Sequence, residues 1–219
     1  PNGLAVSFCQ PIADSRGRVI IPVQTQTPDP DGALRKLGIR FDERIGLTYD
    51  YGSSRMLIGA FRDNDHIDWH LGGTVPIKPG LSSRGLYEPT IIERTDGSIS
   101  RVFRASNALC PHRPRYKWPI ISRDGCETWS EAQPWECSDG SLIESSSTGS
   151  RLFRSATDGQ LYWIGNLCIH GVRPNNNMPR SPIVIARVQE EPFALIRDSI
   201  FVIDRAQPGE HPDTQHSNF

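Results

Sequence analysis

EPTIIERTDGSISRVFR, residues 88–104, reads as two apolar strands joined by a polar turn at Asp96-Gly97. Glycine reaches the positive φ that a tight hairpin turn requires, and Asp-Gly between apolar runs is the strongest short-range hairpin signal. The pattern recurs as QPIADSRGRVIIPVQ at 10–24, around Gly17, and as SRLFRSATDGQLYWIGN at 150–166, around Asp158-Gly159. Seven residues beyond each turn glycine the second strand ends on a polar side chain: Gln24, Arg104 and Asn166. The repeat is therefore one of register as well as of composition.

A further apolar strand pair follows each hairpin, at 55–72, 117–130 and 182–204. Four strands per unit without helical periodicity predict an all-β fold, a β-propeller of four-stranded blades, with a two-sheet sandwich as the competing arrangement. Three units fall short of the roughly four to eight blades of a closed propeller, so an incomplete propeller is expected. The chain, 1–219, reads as one domain carrying two loop insertions, at about 25–46 and 107–117. ALRKLGIRF in the first insertion has room for one short helix.

The 24 basic and 25 acidic side chains leave a formal net charge of -1, which supplies no basic field for nucleic acid. The apolar runs VIIPV (19–23) and PIVIA (182–186) are far shorter than the roughly 20 residues of a membrane span. Five cysteines form no metal-binding spacing and no readable disulfide framework, so they are expected to be buried or free thiols. No targeting segment is visible from Pro1 onward. An extracellular or periplasmic location requires a signal peptide upstream; otherwise the protein is cytoplasmic. His66 and His70 stand too far apart on an extended strand to share a metal, and His112 and His170 sit in loops. Neither metal nor cofactor is expected.

SRDGCETW at 122–129 resembles the Asp-box of sialidases and related propellers, Ser-x-Asp-x-Gly-x-Thr-Trp. Ser122, Asp124, Thr128 and Trp129 match, whereas Cys126 stands in the glycine position with Gly125 beside it to supply the turn. Asp124 is expected to accept turn N–H groups and Trp129 to pack between strands, a structural role. The strand pair at 88–104, upstream of this box, is also similar to that of BNR-repeat proteins, as are SATDGQLYWIGN and NMPRSPIVIAR downstream. The resemblance covers about 8–24 and 80–204 and implies the sialidase-like superfamily, in which bacterial exo-alpha-sialidases act on terminal sugars.

Placing the first strand of each blade innermost brings strand starts and second-strand ends to one face. That predicts Glu88 beside Arg104, Gln10 beside Gln24, Asn166 near 144–147, and Arg180 at the same face. The resemblance implies arginines gripping a substrate carboxylate through paired hydrogen bonds, for which Arg104 and Arg180 are candidates and Arg154 a poorer third. It also implies a Glu that polarises a Tyr nucleophile and an Asp acid/base. Glu88 is the candidate Glu and Asp139, in CSDGSLIESSS, the candidate Asp. Tyr51, Tyr87 and Tyr162 carry no matching motif, and the Arg-Ile-Pro element of the family is not found. Gln10, Gln24 and Asn166 are expected to hydrogen-bond sugar hydroxyls.

The resulting expectation is a glycoside hydrolase acting on a terminal, sialic or otherwise acidic, sugar. A non-catalytic propeller that binds glycan or protein and a polysaccharide lyase on the same fold are the alternatives.

Overall fold

The computed structural model describes residues 9–48, 51–63, 65–75, 80–109, 112, 115–211 and 214–217. The first sheet contains β1 (Ile12–Ala13) and β2 (Val19–Gln26). After β2 comes the first insertion, with the short helix α1 (Ala33–Lys36) and the hairpin β3 (Phe41–Asp42) and β4 (Leu47–Thr48). The chain then re-enters the sheet as β5 (Gly52–Phe61) and β6 (Ile67–Leu71), giving the antiparallel order β1-β2-β5-β6. The carboxylate of Asp29 accepts the backbone N–H groups of Leu34 and Arg35, so the insertion anchors its own helix.

The second sheet is β7 (Tyr87–Glu93), β8 (Ile99–Arg104) and β9 (Trp118–Ser122). A fourth strand is expected beyond the Asp-box. The segment there bonds β9 only at its two ends, Ser130 N–H to Ile121 O at 2.9 Å and Trp135 N–H to Lys117 O at 2.9 Å. Pro134 has no N–H to give a regular ladder between them. The third sheet contains β10 (Arg151–Arg154), β11 (Leu161–Asn166) and β12 (Ile183–Gln189). Its fourth position is divided between β13 (Ala194–Leu195) and β14 (Phe201–Asp204), both along β12 and separated by a 3-10 turn at Arg197–Ser199.

The architecture is all-β, a partial propeller of three blades whose sheets do not close into a ring. The first strands β1, β7 and β10 lie together and line a cavity of about 220 Å³. Burial between blades holds them face to face. Ile20, Met56 and Ile58 of the first blade meet Ile91, Ile99 and Cys126 of the second. Val102 and Trp135 meet Leu152, Trp163 and Val184 of the third, with Trp135 edge-on to Trp163 at 5.8 Å between ring centroids. Aromatic pairs in this geometry add to the area they bury.

The Asp-box closes the β9 end as a structural turn. The hydroxyl of Ser122 accepts the N–H of Cys126 at 2.8 Å and donates to Asp124, and Asp124 also accepts from Glu127 N–H and Thr128 N–H. Hydrogen bonds from Thr128 and then Ser122 hold the Asp124 carboxyl down at about 2. Gly125 supplies a positive-φ turn position as expected, with φ 81°, but not alone. Cys126 itself adopts φ 81°, alongside Gly125, and its side chain is fully buried between the blades. Trp129 packs against both inter-blade clusters of the first and second blades and covers the guanidinium of Arg101 at 4.8 Å.

Cys9, Cys126, Cys137 and Cys168 are free thiols; Cys110 lies outside the described residues, as do residues 111, 113 and 114 of the second insertion. His66 and His70 face carboxylates singly, Asp63 at 3.2 Å and Glu127 at 3.1 Å. The side chain of His170 is outside the described residues. No helix among them is long and apolar enough to cross a membrane.

Candidate functional site

Strand β7 enters its sheet through a bulge. Tyr87 pairs with Arg104 and Thr90 with Val102, so Glu88 and Pro89 together oppose Phe103. A bulge re-aims the side chain it carries, and Pro89 lacks the N–H that a regular ladder would use. Glu88 takes φ 45°, a left-handed backbone uncommon for a residue with a Cβ. Its carboxylate receives Nη1 of Arg104 in an ion pair, as the repeat register predicts. Only 9% of the Arg104 side chain is exposed, against 18% for Glu88.

Arg104 is held through both of its Nη atoms and by an aromatic ring. Its guanidinium lies 4.7 Å from the centre of the Tyr87 ring, and Nη2 donates to Oδ1 of Asn177 at 3.3 Å. The Tyr87 hydroxyl is buried and shares a 2.7 Å hydrogen bond with Ser147. A second guanidinium, that of the exposed Arg84, also lies 4.7 Å from the Tyr87 ring centre. The turn carrying Arg84 is fixed by Ser82, whose hydroxyl accepts the N–H groups of Arg84 and Ser106 and donates to Gly85 O. Gly85 is required there: its φ is 72° and a Cβ would stand 2.1 Å from the carbonyl oxygen of Gly52.

The loop NNNM at 175–178 bridges the second and third blades. Asn176 accepts from Ser106 Oγ at 3.0 Å, and its carbonyl accepts from Ser147 N–H at 2.8 Å. Nε of Arg180 donates to the carbonyl of Asn177 at 3.4 Å and Nη1 to Ser217 Oγ at 3.0 Å. Arg104 and Arg180 therefore meet on the same residue. Behind them Lys117, 2% exposed, donates from Nζ to the carbonyls of Thr148 and Ser146 and to Thr148 Oγ1. Burial, and then repulsion from Arg104, pushes its ammonium down to about 7.

The remaining expected site residues are placed elsewhere or turned inward. Gln10 is not beside Gln24: β1 pairs Ile12 with Ile20, and Gln10 instead accepts from Arg151 of the third blade at the axial cavity. Gln24 faces Ser54 across β5. Asn166 does lie near 144–147, where its carbonyl accepts from Ser145 Oγ at 2.8 Å. Its carboxamide is buried, however, and donates to the carbonyls of Arg180, Pro182 and His216, so it ties strand ends together. Asp139 builds an exposed turn by accepting from Ser141 N–H and Oγ. Those bonds lower its carboxyl further, the wrong direction for a proton donor. Arg154 pairs with Glu190 at 2.9 Å. Tyr51 is buried, which raises its phenol to about 12, and Tyr162 donates to Asp158.

Residues that the sequence reading missed are Arg84, Lys117, Asn176 and Asn177. The run of three asparagines at 175–177 is a signal that could have marked the bridging loop. The assembled face carries Arg84, Arg104, Arg180 and the buried Lys117 against a single bonded carboxylate, Glu88, among the described residues. A surplus of guanidinium at one partly accessible spot suits an anion.

No protein-family model matches the sequence, and no curated protein matches it. Solved structures do. The NanB sialidase of Streptococcus pneumoniae, as its K499G mutant, aligns over 95% of this chain at 19% identity with a TM-score of 0.52. The intramolecular trans-sialidase of Ruminococcus gnavus aligns over 90% at 16% identity and 0.51, and a Hadza microbial sialidase over 90% at 12% and 0.52. At such identity the likeness is one of fold, the sialidase-like β-propeller. The chain spans 24% of the pneumococcal protein and 34% of the Ruminococcus protein.

Proposed function

We propose that this chain contributes the anion-gripping part of a glycoside hydrolase that acts on a terminal acidic sugar, with Arg104 and Arg180 binding the sugar carboxylate. The observation that carries the proposal is the arrangement of Glu88, Arg104 and Asn177. Glu88, from a strained bulge, fixes one edge of the Arg104 guanidinium, and Asn177 links that guanidinium to Arg180. Strained backbone of this kind gathers at functional sites. Glu88 holds Arg104 and stands ready to polarise a hydroxyl nucleophile. Among the residues expected from the sequence, Asp139 no longer fits the acid/base role, and Gln24 is the polar side chain retained as a sugar contact.

A second reading, a glycan-binding face without hydrolysis, is favoured by Tyr87. It is the tyrosine beside Glu88, yet its hydroxyl is buried and engaged by Ser147. Turnover of a fluorogenic sialoside, beside a panel of neutral aryl glycosides, by the full-length natural protein separates the two. Hydrolysis of the sialoside that collapses in Arg104→Ala supports the hydrolase. Binding without release of the fluorophore supports the second reading, and an unsaturated, ultraviolet-absorbing product from a polymeric substrate indicates a lyase.

A further inference from the structure

Lys117 is a buried cation behind the anion face, and the binding role proposed above gives it no part. Among the described residues its ammonium has no carboxylate partner, and its three hydrogen bonds go to neutral oxygens of the 146–148 segment. That segment enters the third blade, whereas Lys117 leads into β9 of the second, so the side chain fastens one blade to the other. Ser147, in the middle of the fastened segment, holds the Tyr87 hydroxyl, and the Tyr87 ring backs Arg104.

The charged and titratable groups that act on Lys117 come from three directions. Arg104 of β8 repels it, Glu88 of β7 attracts it, and the Cys168 thiol after β11, which burial raises to about 11, stays neutral near pH 7. With Arg104 already paired to Glu88, the Lys117 ammonium is an uncompensated buried cation. Such a group is costly to bury unless it loses its proton or gains a counter-charge.

From this geometry we propose that Lys117 is a positioning residue for the anion site: it holds Arg104 through Ser147 and Tyr87, and it takes up a proton when an anion binds at Arg104. This rests on the anion-gripping role proposed above. The arriving carboxylate supplies the counter-charge that Glu88 alone does not. By linkage, the same coupling makes anion affinity fall as the pH rises past the titration of Lys117 in the free protein. With Lys117 titrating at about 7, each unit by which the anion raises that pKa is a factor of about ten in affinity between a pH well below the free value and one well above the bound value.

Two measurements test the pair separately from the sugar. The first follows the Lys117 side-chain carbon signal by NMR through a pH titration of the ligand-free full chain. Titration near neutrality that moves upward in Arg104→Gln supports the coupling; titration above about pH 10, or no response to Arg104→Gln, overturns it. The second is calorimetry with N-acetylneuraminic acid in phosphate and in Tris at pH 7.5. Buffer-dependent heat showing net proton uptake, lost in Lys117→Met and kept in a His216→Gln control, supports the proposal. His216 is the control because its N–H bonds the Arg180 carbonyl. Binding without proton uptake, or uptake unchanged in Lys117→Met, overturns it. If Lys117→Met fails to fold, Ser147→Ala tests the positioning arm: it should weaken the acid without altering the Lys117 titration, and unchanged affinity contradicts that arm. No binding of the acid beside an intact Lys117–Arg104 coupling rejects the acidic-sugar role, and with it the proton-uptake arm.

Discussion

Glu88 and Arg104 form an ion pair across a β-bulge, and Glu88 makes that pair from a backbone at φ 45°. A left-handed backbone is tolerated by glycine and costs other residues about 1 kcal/mol or more. The position therefore combines an unfavourable backbone with a charge that the neighbouring guanidinium needs.

Substitution at this position should separate the two contributions. Glu88→Gly is expected to be more stable than Glu88→Ala by about 1 kcal/mol, while both lose anion affinity alike. Chemical denaturation of the two variants checks the first half and a binding isotherm the second. Equal stability of the Gly and Ala variants would show that the backbone at 88 carries no strain.

The strands were legible because three turn glycines, Gly17, Gly97 and Gly159, all adopt positive φ and fix the register of the strands after them. That register correctly joined Glu88 to Arg104. It misplaced Gln10, because β1 pairs for only two residues and the chain then turns towards Arg151. It also could not distinguish a polar strand end that faces a ligand from one that collects backbone carbonyls, as Asn166 does. Asp139 shows a related ambiguity: Asp-Gly-Ser reads equally well as the exposed turn that it forms. The Arg84 and Asn177 contacts depend on how two loops fold back onto β8, and no local pattern encodes that.

The Asp-box carboxylate should make the fold acid-sensitive. Asp124 has its folded pKa depressed to about 2 by hydrogen bonds from Thr128 and Ser122. A depressed carboxyl contributes stability that is full above its unfolded value, near 3.8, and is lost as the pH falls through the folded value. Asp124→Asn should therefore lower the melting temperature at pH 6, with the gap to wild type closing between about pH 4 and 2. A constant gap across that range would assign the loss to packing instead.

Arg101 is fully buried between Phe103 and Trp129, and among the described residues its guanidinium donates, from Nη2, to the Ser54 hydroxyl alone. Desolvation lowers its guanidinium to about 9, which still leaves it charged at neutral pH. Replacing an uncompensated buried charge by an apolar side chain of similar volume is often neutral or stabilising by about 1–4 kcal/mol. Arg101→Met is thus expected to melt no lower than wild type, and Arg101→Ala to melt lower because it also leaves a cavity. A large loss in Arg101→Met would mean that the guanidinium is compensated in solution.

Lys117 should leave a signature on stability without any ligand. Its folded pKa, about 7, lies below the ordinary lysine value of 10.5, so between those values the unfolded chain holds more protons. Stability contributed by this site consequently rises with pH across that window and is lowest below pH 7. Wild type should gain stability from pH 7 to pH 9 relative to Lys117→Met, as read from paired denaturant melts. Parallel curves for the two proteins would place the Lys117 titration outside this range.

The central claim is that the face built by Glu88, Arg104, Asn177 and Arg180 grips a sugar through its negative charge. The most direct measurement is an isotherm of N-acetylneuraminic acid beside its methyl ester, on the full-length natural protein and on Arg104→Ala. Charge-assisted bonds of this kind contribute about 1.5–3 kcal/mol, so the acid should bind at least about tenfold more tightly than the ester. Arg104→Ala should abolish the difference. Equal binding of acid and ester by the wild type, or undiminished preference for the acid in Arg104→Ala, would contradict the claim.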